Sequence, residues 1–92
     1  TYKPMGPWIE TRRPAEGASI SLRLNGAQKQ EAVLSDMVFG PERVVSFLSK
    51  NMGLEPGDLI FTGTPAGVGP LKSGDVVEVE IGGIGTLRNT VA

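Results

Sequence analysis

The residues best suited to chemistry lie in one short stretch, Gly63-Thr64-Pro65-Ala66-Gly67-Val68-Gly69-Pro70. Its glycines can take positive φ and bring backbone N–H groups close to a ligand. Successive N–H groups in such a loop form an anion-binding concavity. Pro65 forces Thr64 toward extended geometry, which fixes where its hydroxyl points. A carboxylate or enolate oxygen is the ligand that suits this arrangement. On spacing alone, a tight structural connection suits it equally well. The stretch is not a phosphate loop, because G-x-x-x-x-G-K-[ST] needs a Gly-Lys pair and none exists. Nor is it G-x-G-x-x-G, since Lys72 stands where the last glycine would be.

The remaining polar residues read mostly as structure. Asp58 and Asp75 each sit in a turn beside glycine, where Asp commonly accepts from backbone N–H groups. Glu78 and Glu80 alternate with valine and read as solvent-facing. Asp36, before Met37-Val38-Phe39, is either a buried hydrogen-bonded residue or a turn residue, with catalysis the lesser alternative. Arg12 and Arg13, near Trp8, could pair an acidic ligand, although a solvated loop explains them too. The chain has no His, which excludes an imidazole base and a Ser–His pair within it. It has no Cys, which excludes disulfides and thiolate metal sites. A formal net charge of -1 leaves no basic footprint for nucleic acid. The apolar runs are too short to span a membrane. No signal peptide opens the chain, and the expected location is cytoplasmic.

These residues need elements to hold them. Residues 1–18 contain Pro4, Pro7 and Pro14, so an extended irregular segment is expected, laid across a core by Trp8 and Ile9. Residues 19–34 read as a hairpin: Ile20, Leu22 and Leu24 alternate with polar residues and Asn25-Gly26 supplies the turn. The spacing of Val44, Val45, Phe47, Leu48 and Met52 predicts a helix over 41–52 with one core-facing stripe. Pro41 starts it, and Gly53 is expected as a left-handed cap. Leu59-Ile60-Phe61-Thr62 reads as a short, fully buried strand leading into the glycine loop. Val76 to Ile81, a two-residue turn at Gly82-Gly83 and a return arm from Ile84 to Val91 complete a second hairpin. With 92 residues and 39% hydrophobic content, the chain can bury a core. A domain of this size nonetheless buries only about 60–65% of its unfolded surface. Lacking disulfide or structural metal, it is expected to lean on other protein surface. No repeat or inter-domain linker is visible.

Several segments, in order, carry a resemblance. Asp58-Leu59-Ile60-Phe61-Thr62-Gly63-Thr64-Pro65-Ala66-Gly67-Val68-Gly69 is followed by Gly74-Asp75-Val76-Val77-Glu78-Val79 and by Gly85-Thr86-Leu87-Arg88-Asn89. Together these resemble the C-terminal part of the fumarylacetoacetate hydrolase family. Upstream, Thr1-Tyr2-Lys3-Pro4-Met5-Gly6-Pro7-Trp8 resembles its D-T-[FY]-x-P-x-G-P-W segment, begun after the Asp. Asn25-Gly26 with Gln30 resembles its N-G-x(3)-Q hairpin, and Ser35-Asp36-Met37-Val38-Phe39 its S-D-M-[IV]-F segment. The resemblance covers essentially all of the chain.

The resemblance implies an α+β, β-rich fold, a mixed-sheet roll with few helices, usually a homodimer. It implies that residues 1–92 form the C-terminal portion of a single catalytic domain whose N-terminal half lies outside this chain. Family members act on diketo, 2-oxo and 2-hydroxydienoic acids, by C–C hydrolysis, isomerisation or decarboxylation. A divalent Mg²⁺ or Mn²⁺, or Ca²⁺, chelates the substrate's carboxylate and keto oxygens. The family's metal ligands, an E-x-E pair and a later Asp, belong before Thr1, as do its Lys and its Glu–His dyad. The catalytic residues are therefore unknown within this chain. Thr64 matches a substrate-binding threonine, with Gly63 and Gly67 allowing backbone approach. Thr1 matches a threonine near the metal and its waters. Val68 to Asp75 offers no match to the later Glu of the long fumarylacetoacetases, which favours the shorter bacterial-type enzymes. Arg88 and Asn89 recur in the family, in a structural or a functional role. Against the enzyme reading stands a non-catalytic β-rich binding or assembly fragment.

Overall fold

The computed structural model describes residues 3–92; Thr1, the expected near-metal residue, lies outside the described residues. β1 (Ser19–Leu24) turns at Asn25-Gly26 into β2 (Ala27–Val33). Both turn residues take positive φ, 52° at Asn25 and 82° at Gly26, as the expected hairpin requires. β3 (Val76–Ile81) pairs with the free edge of β1, and β4 (Gly85–Thr90) pairs with β3. The sheet is antiparallel with strand order β2-β1-β3-β4. With one α-helix in the chain besides the sheet's strands, this is the expected β-rich α+β class.

Register divides the sheet by chemistry. Ile20, Leu22 and Leu24 pair with Ile81, Val79 and Val77, so one face is apolar. On the other, Arg23 lies between two glutamates, its Nη1 2.9 Å from Glu80 and its Nε 3.6 Å from Glu78. Glu78 and Glu80 are therefore half-buried partners of a cation rather than simply solvent-facing. The hydrogen bond to Glu80 is the main cause of a raised Arg23 pKa. In β2, the register slips between Leu22, which faces Gln30, and Arg23, which faces Gln28. Lys29 is the extra residue, a β-bulge that re-aims the residue after it.

Local differences from expectation have physical reasons. Three residues, not two, separate β3 from β4, and Ile81 pairs with Gly85. The Gly82 N–H donates to the Ser19 carbonyl (3.0 Å), which draws Gly82 toward β1 and lengthens the turn. α1 (Pro41–Asn51) begins at its proline as expected. It does not end in a left-handed Gly53: Met52 is already extended (φ -151°) and Gly53 keeps no positive φ. The Asn51 side chain donates to the Phe47 carbonyl at 2.9 Å and satisfies one of the terminal acceptors instead.

The helix stripe and the expected strand at 59–62 also differ. Val44 and Leu48 are half-buried, but Phe47 is 66% exposed, so the stripe faces no core among the described residues. Leu59–Thr62 forms no strand there, and Phe61 is 64% exposed. A strand exists only where a neighbour completes its ladder, and no described segment pairs with this one. Among the described residues no apolar side chain is buried; Gln30, 9% exposed, is the single buried residue. The N-terminal segment is irregular as expected but is not laid across a core, since Trp8 and Ile9 are both exposed and no apolar side chain is buried among the described residues. It lays the Trp8 ring against Gly85, where a Cβ would meet Trp8 Cζ2 at 2.5 Å.

Candidate functional site

The Gly63–Pro70 loop emerges where the described residues offer no strand ladder, so side chains and close backbone contacts must hold it. Gly63 (φ 94°) and Gly67 (φ 108°) take the left-handed region, whereas Gly69 does not. At Gly67 the requirement is double. A Cβ there would collide with the Lys29 carbonyl oxygen, the carbonyl of the bulge residue in β2. The backbone of the bulge residue therefore approaches the loop closely, and only glycine lets it do so.

The next residue of β2 completes the attachment. The Gln30 side-chain amide donates to Thr64 Oγ1 at 2.8 Å and to the Pro65 carbonyl at 2.7 Å. Pro65 is half-buried and Thr64 exposed, with the Thr64 hydroxyl oxygen turned to the Gln30 amide. Leu22, Leu24 and Val77 of the apolar sheet face line a cleft with Gln30 and with the loop from Gly67 to Leu71. The structure thus joins three sequence-level candidates, Gly63, Thr64 and Gly67, in one loop. The pairing of Gln30 with Thr64 spans 34 positions of sequence. The one local signal for it is a glutamine at the strand position that faces Leu22.

The other polar candidates are structural. Asp58 accepts from the Glu55 N–H and Asp75 from the Lys72 N–H, each at 2.8 Å. Asp36 accepts from the Val33 N–H at 3.3 Å, which makes it a turn residue. Arg12 pairs with Glu10, and Arg13 with Glu42 at 2.7 Å. Asn25 donates to Asp75 Oδ1 (2.9 Å) and accepts from the Val76 N–H (2.8 Å), tying the first hairpin to the entry of β3. That side-chain hydrogen bond, with the Lys72 N–H, holds the Asp75 pKa below its ordinary value. The Lys3 ammonium lies 4.0 Å from the centre of the Phe61 ring.

A divalent metal does not fit these residues alone. A hard cation of this kind takes about six oxygen ligands. Among the described residues no group of three His, Cys, Asp or Glu side chains converges. What the loop can do is recognise an oxygen: it offers a hydroxyl, a backbone freed at two glycines, and a buried amide behind them. No described helix is long and apolar enough to cross a membrane.

Known proteins share both sequence and shape with this chain. The family profile described as "Fumarylacetoacetate (FAA) hydrolase C-terminal" matches residues 1–92. A maleylpyruvate hydrolase of Aquipseudomonas alcaligenes is 42% identical over 90 residues, which cover 95% of this chain and 31% of that protein. The crystal structure of 2-hydroxyhepta-2,4-diene-1,7-dioate isomerase from Mycobacterium marinum superposes with a TM-score of 0.89 at 48% identity, covering 95% of this chain and 34% of that one. Fumarylpyruvate hydrolase from Pseudomonas aeruginosa, in complex with Mn²⁺ and pyruvate, gives a TM-score of 0.80 at 37% identity, covering 85% and 34%. The chain spans about a third of the length of the curated relatives it matches.

Proposed function

Since the chain belongs to the fumarylacetoacetate hydrolase family, we propose that it is the C-terminal portion of one catalytic domain in a divalent-metal-dependent enzyme acting on 2-oxo, 2-hydroxydienoic or diketo acids. The reaction is C–C hydrolysis of an acylpyruvate or isomerisation of a hydroxydienoate. In this reading Thr64 donates a hydrogen bond to a carboxylate or enolate oxygen of the substrate, and Gly63 and Gly67 let backbone approach it. Mg²⁺ or Mn²⁺, or Ca²⁺, would supply Lewis acidity through ligands outside the described residues, and the family resemblance assigns Thr1 to its surroundings. The full-length protein is a homodimer.

One observation carries this reading: the glycine loop is locked to β2 through Thr64 and Pro65, and Thr64 is an exposed residue. A maleylpyruvate hydrolase and a fumarylpyruvate hydrolase among its relatives, the latter in complex with Mn²⁺ and pyruvate, support the substrate class. Replacing Thr64 by Val in the full-length protein is expected to lower kcat/KM by about tenfold or more, the loss of one charge-assisted hydrogen bond. Steady-state kinetics on an acylpyruvate test this; unchanged kinetics would remove Thr64 from the site.

The lack of a converging ligand set among the described residues favours a second statement about the isolated piece. The 92-residue chain on its own is inactive, a β-rich assembly fragment whose exposed apolar side chains belong against the remainder of the domain.

A further inference from the structure

We propose that Gln30 is a positioning residue that donates to one lone pair of the Thr64 hydroxyl, so that the hydroxyl keeps its hydrogen for an acceptor atom of the ligand. The inference rests on the reading of Thr64 as a substrate-binding residue and deepens it.

The direction of each hydrogen bond follows from what each atom can do. The Pro65 carbonyl oxygen can only accept, so the Gln30 atom 2.7 Å away is the amide nitrogen, not its oxygen. That nitrogen carries two hydrogens. One goes to Pro65 and the other to Thr64 Oγ1 at 2.8 Å. A hydroxyl that accepts from the protein keeps its own hydrogen for another partner. Thr64 is an exposed residue, so a ligand can reach it. A carboxylate or enolate oxygen can accept that hydrogen; the second lone pair of the hydroxyl stays open, so the bond from Gln30 biases the site toward acceptors without closing it to donors.

Three features maintain this arrangement. Gln30 is the buried residue of the described chain, so water does not compete for its amide. The bulge at Lys29 sets the register in which Gln30 faces Leu22. Gly67 lets the Lys29 carbonyl approach, which holds loop and strand at one separation.

The test is a double-mutant cycle on the full-length protein loaded with Mn²⁺, with pyruvate as the probe and calorimetric titration as the readout. Gln30→Glu keeps the size of the side chain but turns a donor into an acceptor, so the Thr64 hydrogen turns inward. Pyruvate binding is expected to weaken by about tenfold in the otherwise unaltered protein, and by less than about twofold when Thr64→Val is already present. Gln30→Met, which removes both donors without adding charge, should show the same dependence on Thr64 with a smaller effect, and serves where the Glu variant is poorly folded by thermal unfolding. Equal weakening in both backgrounds means that Gln30 acts on the fold generally and overturns the proposal. Unchanged pyruvate affinity in Gln30→Glu overturns it as well. If Thr64→Val alone leaves pyruvate binding intact, the reading of the loop as a substrate site fails first and this inference falls with it.

Discussion

At the scale of single residues, Gly67 and Gly63 separate two kinds of glycine requirement. Both hold a positive φ, but a Cβ at Gly63 meets nothing within 4 Å, while one at Gly67 collides with the Lys29 carbonyl. Gly63→Ala should therefore cost only conformational strain, about 1–2 kcal/mol. Gly67→Ala should cost that strain and also drive the loop off β2, carrying Thr64 with it. Thermal unfolding of the full-length protein should show the larger loss for Gly67→Ala, and pyruvate binding should fall further with that variant than with Gly63→Ala. Equal effects of the two substitutions would mean that the Lys29 contact does not hold the loop. Thr64 itself depends on neighbours in the same way: its hydroxyl is informative to a ligand because Gln30 has already used one side of it.

At the scale of elements, the two hairpins are joined by side chains as well as by strand pairing. Asn25 is both the left-handed residue of the first turn and the hydrogen-bond partner of Asp75 and of the Val76 N–H. Asn25→Gly keeps the turn conformation and deletes both bonds, so it isolates their contribution. A loss of about 1 kcal/mol is expected, partly offset in the turn itself by the freedom of glycine. Asp75 gives the same junction a pH dependence. Its pKa is depressed in the folded state, so the unfolded chain binds the proton more readily. The stabilisation is therefore present above the ordinary value of 3.8 and is lost as pH falls through the lower folded value. Chemical denaturation of the full-length protein across that acid range should show a decline that Asn25→Gly flattens, because the Asn25 hydrogen bond is the largest cause of the depression. An unaltered acid profile in that variant would place the pH dependence elsewhere.

At the scale of the whole molecule, the chain has a sheet, a helix and a ligand-type loop without a buried apolar core among its described residues. Met5, Phe39, Phe47, Met52, Leu59 and Phe61 are all exposed. So many large exposed apolar side chains on a chain with no buried apolar core normally meet other protein. The 92-residue chain made alone should accordingly bind a hydrophobic dye strongly and show no turnover with Mn²⁺, whereas the full-length protein should do the reverse. Turnover by the isolated chain would show that its own residues complete the metal site.

The features legible in the sequence are those decided within a few residues. Asn25-Gly26 fixes a turn because two adjacent residues must both accept positive φ, and Pro41 starts a helix because its missing N–H has no partner there anyway. Asp58 and Asp75 cap their turns over three residues. The Gly-Thr-Pro loop was visible as a ligand candidate for the same reason, since composition alone sets its backbone freedom. Tertiary structure decided what depends on distant partners. Leu59–Thr62 has the composition of a strand, but a strand is a relation between two segments, and its own residues cannot supply the second. Gln30 lies in a hairpin whose sequence shows the turn and not the bulge; only folding brings it across 34 residues to Thr64. Local chemistry chose the residues that could bind an oxygen, and the packing of β2 against the loop chose which way their hydrogens point.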